Sequence, residues 1–233
     1  MGTIVNACSI VLGSVLGLFL KQGIPEKYQV TIMQGLALVI AVIGLQMAMK
    51  SQNMLIIIAS IALGALVGEF MELDVLLNKL GNYLASVVKS MPMFANVEGN
   101  AISQGFVTAT LVYCIGAMAI IGSIQEGMTG NAQILYAKAM LDGITAIFFT
   151  SSMGIGVAFS SLSVLVYQGI ITLLASFLSS FLSEPVINEM TATGGVLIMG
   201  ISLVMLKLND IKLANLLPAI VFAIFITSVY TTI

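Results

Sequence analysis

The chain has no histidine, no arginine and no tryptophan, and only 8% of its 233 residues are charged. Without imidazole there is no Ser–His catalysis and no histidine ligand for a metal or haem. The shortage of charge excludes more. A soluble domain carries about 25% charged residues, and a globule this poor in charge could not cover its surface with polar groups. Eight lysines against ten acidic residues leave a formal net charge of −2, so no basic face is offered to nucleic acid. Cysteine is also scarce: Cys8 and Cys114 both fall in apolar runs, where small buried thiols are the ordinary expectation. No phosphate loop or paired-cysteine motif occurs, and Asp142 is the one aspartate expected at depth, so two-carboxylate intramembrane chemistry lacks its second member. The sequence therefore predicts neither an enzyme nor a resident cofactor or metal.

What is present is apolar: 59% of residues are hydrophobic and the mean hydropathy is +1.13. A lipid bilayer accepts such an exterior, and the expectation is an all-α, polytopic transmembrane bundle occupying residues 1–233 as one domain. A span needs about 20 residues. Runs at 2–20, 29–49, 54–70, 101–122, 134–152, 157–182, 189–206 and 211–230 give about eight spans, separated by Lys, Asn, Pro and acidic clusters. Val5-Asn6-Ala7-Cys8 faintly resembles a lipoprotein cleavage box, but no basic segment precedes it and the apolar run continues to Leu20, so the run reads as a retained span. Residues 71–90 differ. Leu73, Leu76, Leu77, Leu80, Leu84 and Val87 share one helical face, and Asn78, Lys79, Asn82 and Lys89 fill the other. Such a helix either lies in the membrane interface or packs on the protein's own cytoplasmic end. Lysine bias sets the orientation. With both termini outside, Lys21, Lys27, Lys79, Lys89, Lys207 and Lys212 face the cytoplasm, and only Lys50 and Lys138 do not.

Residues 1–70 resemble residues 156–233. Gly2–Ser9 can be laid on Gly156–Ser163, and Gln34–Gly44 on Thr193–Leu203. Five spans separate matched members, an odd number, so the two copies have opposite orientations. Inverted three-helix repeats flanking a central pair at 101–152 are an architecture of secondary transporters; chance likeness between apolar helices is the alternative. Gly194-Gly195 predicts a break in the seventh span. Gly13-x-x-x-Gly17 and Gly64-x-x-x-Gly68 predict close helix approaches, either inside the chain or across a homodimer face.

An ionisable residue within a span is costly and by default functional. Lys138 and Asp142, spaced i and i+4, share a helix face that Thr145 continues. At about 1.5 Å per residue from residue 134, Asp142 lies roughly 12 Å deep, near the middle of a core about 30 Å thick. Thr110, on the oppositely running fourth span, reaches a similar depth, with Tyr113 one turn away. Asp142, Lys138, Thr110, Tyr113 and Thr145 form the candidate midplane site for an ion or small solute; a Lys138–Asp142 pair that merely fastens helices is the competing reading. Asn6 and Thr193 toward the outside, and Gln34 and Ser160 toward the inside, with Gln104 and Gln168, form a secondary polar lining or simply bond across helix interfaces. Ser123, Gln125 and Glu126 at the outer end of span four, and Glu69, Glu72 and Asp74 at the inner end of span three, read as solvated helix ends or a cation vestibule.

The run Gln104-Gly-Phe-Val-Thr-Ala-Thr-Leu-Val-Tyr-Cys-Ile-Gly-Ala-Met-Ala-Ile-Ile-Gly-Ser-Ile-Gln-Glu-Gly127 is distinctive, as are Lys138-Ala-Met-Leu-Asp142-Gly143, Tyr167-Gln168-Gly169 and the opening Met-Gly-Thr-Ile-Val-Asn6. On these runs the chain resembles the YdfK/YqgA family of bacterial multi-pass membrane proteins of unknown function, over essentially its full length. The resemblance implies a bacterial cytoplasmic (inner) membrane protein and supplies no substrate. The residues point first to a small secondary transporter or permease, with a passive channel-like pore or a non-transporting membrane scaffold or sensor as alternatives.

Overall fold

The computed structural model describes residues 1–23, 26–90, 99–179 and 182–230. Among them the chain is helical throughout: α1 (Gly2–Gly23), α2 (Glu26–Ala48), α3 (Met54–Phe70), α4 (Leu73–Lys89), α5 (Gly99–Cys114), α6 (Ala117–Thr129), α7 (Gln133–Met153), α8 (Gly156–Leu173), α9 (Ala175–Leu178), α10 (Glu184–Met205) and α11 (Pro218–Tyr230). The sequence marks several ends. The Asn53 side chain caps α3 by accepting from the Leu55 amide, which satisfies one of the orphan donors of a first turn. Gly130, at φ 73°, closes α6 in the left-handed region that glycine adopts without a steric penalty. Pro185 stands in the first turn of α10, where its missing N–H costs nothing.

Among the described residues six helices are long and apolar enough to cross a membrane, and two bent pairs bring the number up to eight. The bends revise the expected spans. Residues 101–122 are not one helix: α5 and α6 meet at 61° across Ile115 and Gly116, where a β-branched residue and a glycine, both weak helix formers, stand together. Gly116 is extended, with φ 162° and ψ 146°. α3 likewise turns by 60° into α4, the amphipathic stretch, through Glu72 at φ 50°. The 157–182 run divides at Leu174 into α8 and α9. The last span opens as a 3-10 turn, Leu213–Leu216, before Pro218 starts α11.

The break expected at Gly194-Gly195 is absent, because α10 is continuous. Those glycines serve two neighbours instead. A Cβ on Gly194 would strike the Ile115 side chain, and one on Gly195 would stand 2.6 Å from the Gly44 carbonyl oxygen of α2. The two GxxxG motifs likewise act within the chain. Gly13 and Gly17 meet Gly143 and Ile147 of α7, so α1 and α7 run parallel; Gly64 and Gly68 meet Ala219 and Asn215, so α3 and α11 run antiparallel. Small residues allow this approach, and packing rather than hydrophobicity holds helices together in lipid.

Polarity is distributed as a membrane solvent demands. Phe70 is 90% and Leu173 87% exposed, whereas Asn6, Ser14, Ser60, Ser160, Gln168 and Thr193 are completely buried. The apolar core between them includes Ile10, Ala109, Phe149, Val164, Leu197 and Ile201.

Candidate functional site: a buried ion pair and two cavities

The i, i+4 spacing on α7 sets Lys138 and Asp142 one turn apart, and the lysine Nζ lies 3.0 Å from Oδ1 and 2.8 Å from Oδ2 of the carboxylate. Both residues are buried. The glycine-lined crossing of α1 on α7 brings Asn6 in beside them, and its Nδ2 donates to Asp142 Oδ2 at 3.0 Å. The same Nδ2 lies 3.4 Å from Oε1 of Gln168 on α8. Three helices thus deliver four polar side chains to one point. Only the amide NH2 can donate, so the carboxylate fixes which end of Asn6 faces it. Asn6 Oδ1 and Gln168 Nε2 are buried and have no hydrogen-bond partner among the described residues.

The other expected site residues divide. Tyr113 is buried and its ring stacks on Phe149 of α7, with centroids 6.0 Å apart and planes 18° from parallel. Thr145 donates to the Leu141 and Asp142 carbonyl oxygens of its own helix at 2.9 and 3.0 Å, the local bond a hydroxyl makes in a helix interior. Thr110 donates to Ser163 Oγ at 3.2 Å, away from the pair. Ser160 bonds its own turn, at Val157, and Thr193 is buried. Gln34 and Gln104 are exposed. Asn6 and Gln168, expected only in a secondary lining, are therefore the residues that accompany the ion pair.

Glu126 departs from its expectation, and Glu189 carried none. Glu126 is no solvated helix end: it is 8% exposed, accepts from the Gly2 amide at 2.7 Å and from Thr3 Oγ1 at 3.2 Å, and pairs with the Met1 ammonium. A carboxylate on the first N–H groups of α1 meets the positive end of its helix dipole. Glu189, buried inside α10, accepts from Ser51 Oγ at 2.6 Å and from the Gln52 and Asn53 amides at 2.7 and 3.1 Å. In the sequence it stands at the start of the seventh apolar run, where an acid passes for a span end. Glu69, by contrast, is exposed and bonds Lys212 at 2.7 Å and Asn215 at 2.5 Å. Its hydrogen bond and charge raise the Lys212 pKa above the ordinary lysine value.

Two cavities lie on the α5 side. One, of about 670 Å³, follows α8 at the α5–α6 break and is walled by Thr110, Cys114, Gly116, Ser163, Tyr167 and Thr191 among apolar residues. The other, of about 440 Å³, is a polar crevice with Asp74, Asn78, Asn82, Gln104 and Thr108 in its wall. Among the described residues no group of three His, Cys, Asp or Glu is placed to hold a metal ion.

A helical bundle with a lipid-compatible exterior and a buried ion pair defines a polytopic α-helical membrane protein. The chain belongs to the family described as "Protein of unknown function (DUF554)", whose model matches residues 1–228. It is 33% identical to the "Uncharacterized membrane protein YdfK" of Bacillus subtilis (strain 168), over 94% of this chain and 92% of that protein. It is 28% identical to the "Uncharacterized protein YqgA" of Escherichia coli (strain K12), over 99% of this chain and 97% of that protein. The resemblance carried by residues 104–127, 138–143 and 167–169 is thus to the correct family. No solved structure matches the chain.

Proposed function

We propose that the protein is a small secondary transporter or permease for an ion or small solute, with Asp142 as its coupling residue and Lys138 as the partner of that carboxylate. The observation that carries this reading is the four-residue cluster of Lys138, Asp142, Asn6 and Gln168. A pair that only fastened helices would need no further polar groups, since two apolar residues fasten as well or better. Here two amides from other helices join it and leave one end of each uncommitted, as suits a group whose partners change when a proton or cation binds.

The packing supports an inverted repeat. Matched helices lie against each other: α1 meets α8 at Asn6 and Gln168, α2 crosses α10 antiparallel at Gly44 and Gly195, and α3 crosses α11 antiparallel at Gly64 and Ala219. The unmatched α5–α6 and α7 flank this axis, α7 parallel to α1 and α5 parallel to α8. In such folds the site sits between the copies and opens alternately to either side. Lysine bias supports an orientation with both termini outside the bacterial inner membrane.

The test is solute and ion flux into proteoliposomes with and without an ion gradient. Gradient-driven flux that Asp142→Asn abolishes, in protein that remains folded and monodisperse, is the expected result. Gradient-independent flux would make the protein a pore, and undiminished flux in Asp142→Asn would remove Asp142 from the mechanism.

A further inference from the structure

The two cavities share a wall. Among the described residues Leu111 of α5 lines both, and it is 5% exposed. On one side is the polar crevice between α4, α5 and α10, near the end of the bundle that carries Lys79 and Lys212. On the other is the larger cavity, which reaches one turn further along α5 to the break at Ile115 and Gly116. The break gives that cavity unusual walls for membrane depth. The last turn of α5 leaves carbonyl groups, and the first turn of α6 leaves N–H groups, without partners in their own helices. The N–H end also carries the positive pole of the α6 dipole. A second feature points to a ligand at the same place. Thr191 of α10 is 3% exposed, lies in this wall, and its Oγ1 has no hydrogen-bond partner among the described residues. Other buried hydroxyls among the described residues also lack a partner, and Thr191 is the one of them that lies in this cavity's wall.

Charge narrows the occupant. Among the described residues the larger cavity has no ionised side chain in its wall, and the crevice has one, Asp74. An anion would meet no cation along this route and would pass a carboxylate. The remaining wall is apolar: Phe106 and Met190 are buried, whereas Leu162, Val166, Ile170 and Val221 are exposed and leave the cavity open on its outer side. Sites of a few hundred Å³ with an apolar wall and a few convergent polar groups take organic molecules.

We propose that the cavity at the α5–α6 break binds an uncharged solute with an apolar body and one hydrogen-bonding end, and that Leu111 is the partition through which it passes to and from the polar crevice. The hydrogen-bonding end meets the α6 N-terminus and Thr191 Oγ1, and the body lies against α8. The bend at Gly116 is the joint that swings Leu111 relative to α6, because a broken helix moves in two pieces. The proposal rests on the transport reading and names its solute class and route.

Cys114, in the same cavity wall, reports on access. In a Cys8→Ser background, sealed vesicles of either orientation are treated with three methanethiosulfonates: the neutral methyl reagent, the trimethylammonium-ethyl cation and the sulfonatoethyl anion. From the Lys79–Lys212 side, the neutral reagent should label Cys114 at least 10-fold faster than the anion. Leu111→Ala should speed neutral labelling about 10-fold and Leu111→Trp should slow it by a similar factor, while Leu197→Ala, elsewhere in the core, should leave it unchanged. Thr191→Val should weaken protection of Cys114 by a neutral alkanol such as 1-hexanol several-fold. Labelling that ignores Leu111 would mean that solutes reach the cavity directly from lipid and would overturn the proposal. Labelling reads access rather than flux. Leu111-dependent access without gradient-driven flux would reject the transporter and keep the binding cavity, whereas coupled flux with Leu111-independent access would do the reverse.

Discussion

Asn6 and Asp142 stand 136 positions apart in the chain, yet the amide of one donates to the carboxylate of the other at 3.0 Å. That bond ties the first helix to the charged turn of α7. It depends on Gly13 and Gly17, whose missing side chains let α1 lie against the α7 backbone. Polar chemistry and small-residue packing are therefore one feature here, and they can be tested separately.

The ion pair itself comes first. Removing Lys138 leaves a carboxylate buried without its countercharge, and such one-sided removals cost about 3–5 kcal/mol. Lys138→Met should lower unfolding stability in detergent by about that much. The double variant Lys138→Met/Asp142→Leu should recover most of the loss, because an apolar pair of similar volume is no worse than an ion pair in low dielectric. A single variant as stable as the wild type would mean that the pair is solvated rather than buried.

Glycines at the crossings should be sharply unequal. A Cβ on Gly13 would be driven into the Gly143 carbonyl, whereas one on Gly35 meets nothing within 4 Å. Gly13→Ala should destabilise by about 1–3 kcal/mol, the usual cost of overpacking. Gly35→Ala should be neutral, or stabilise the helix by up to about 1 kcal/mol. Thermal melts of the two variants decide it, and equal effects would contradict the α1–α7 crossing.

These contrasts show where the sequence was informative. Apolar run length marked the membrane helices, and the i, i+4 spacing of Lys138 and Asp142 was enough to place both on one face. Periodicity also identified α4 from its leucine stripe. What depended on the third dimension was hidden. Hydropathy averages over a window, so it passed through the α5–α6 bend at Ile115 and Gly116 without a signal. Conversely, Gly194-Gly195 looked like a break because glycine weakens helices, but two neighbours, Ile115 and Gly44, needed the room. Glu126 looked solvated because it sits at a helix end, and the helix start that buries it lies 124 residues away.

The exposed pair of Glu69 and Lys212 has a pH signature. The lysine pKa is raised in the folded state, so its contribution is fully present below the ordinary lysine value near 10.4 and is lost only as pH climbs through the raised one. Melting temperatures of wild type and Lys212→Gln should keep a constant, small separation from about pH 6 to 9, as expected of a surface pair. They should converge only in strong alkali, and convergence near neutrality would show that the pair does not form.

Glu189 offers the clearest local test. Its two oxygens gather the Ser51 hydroxyl and the Gln52 and Asn53 amides, and Asn53 in turn caps α3. One buried carboxylate on α10 thereby fixes the turn that joins α2 to α3. Glu189→Ala would orphan those donors together, at about 1–3 kcal/mol for a buried unsatisfied group. Glu189→Gln keeps one acceptor oxygen and should cost less. Hydrogen exchange localises the effect. The Gln52 and Asn53 amides should exchange at least 10-fold faster in Glu189→Ala, while amides in the middle of α7 keep their protection. A uniform rise across the protein would instead mean that Glu189 stabilises the whole bundle, and unchanged exchange at Gln52 and Asn53 would mean that the carboxylate does not hold the turn.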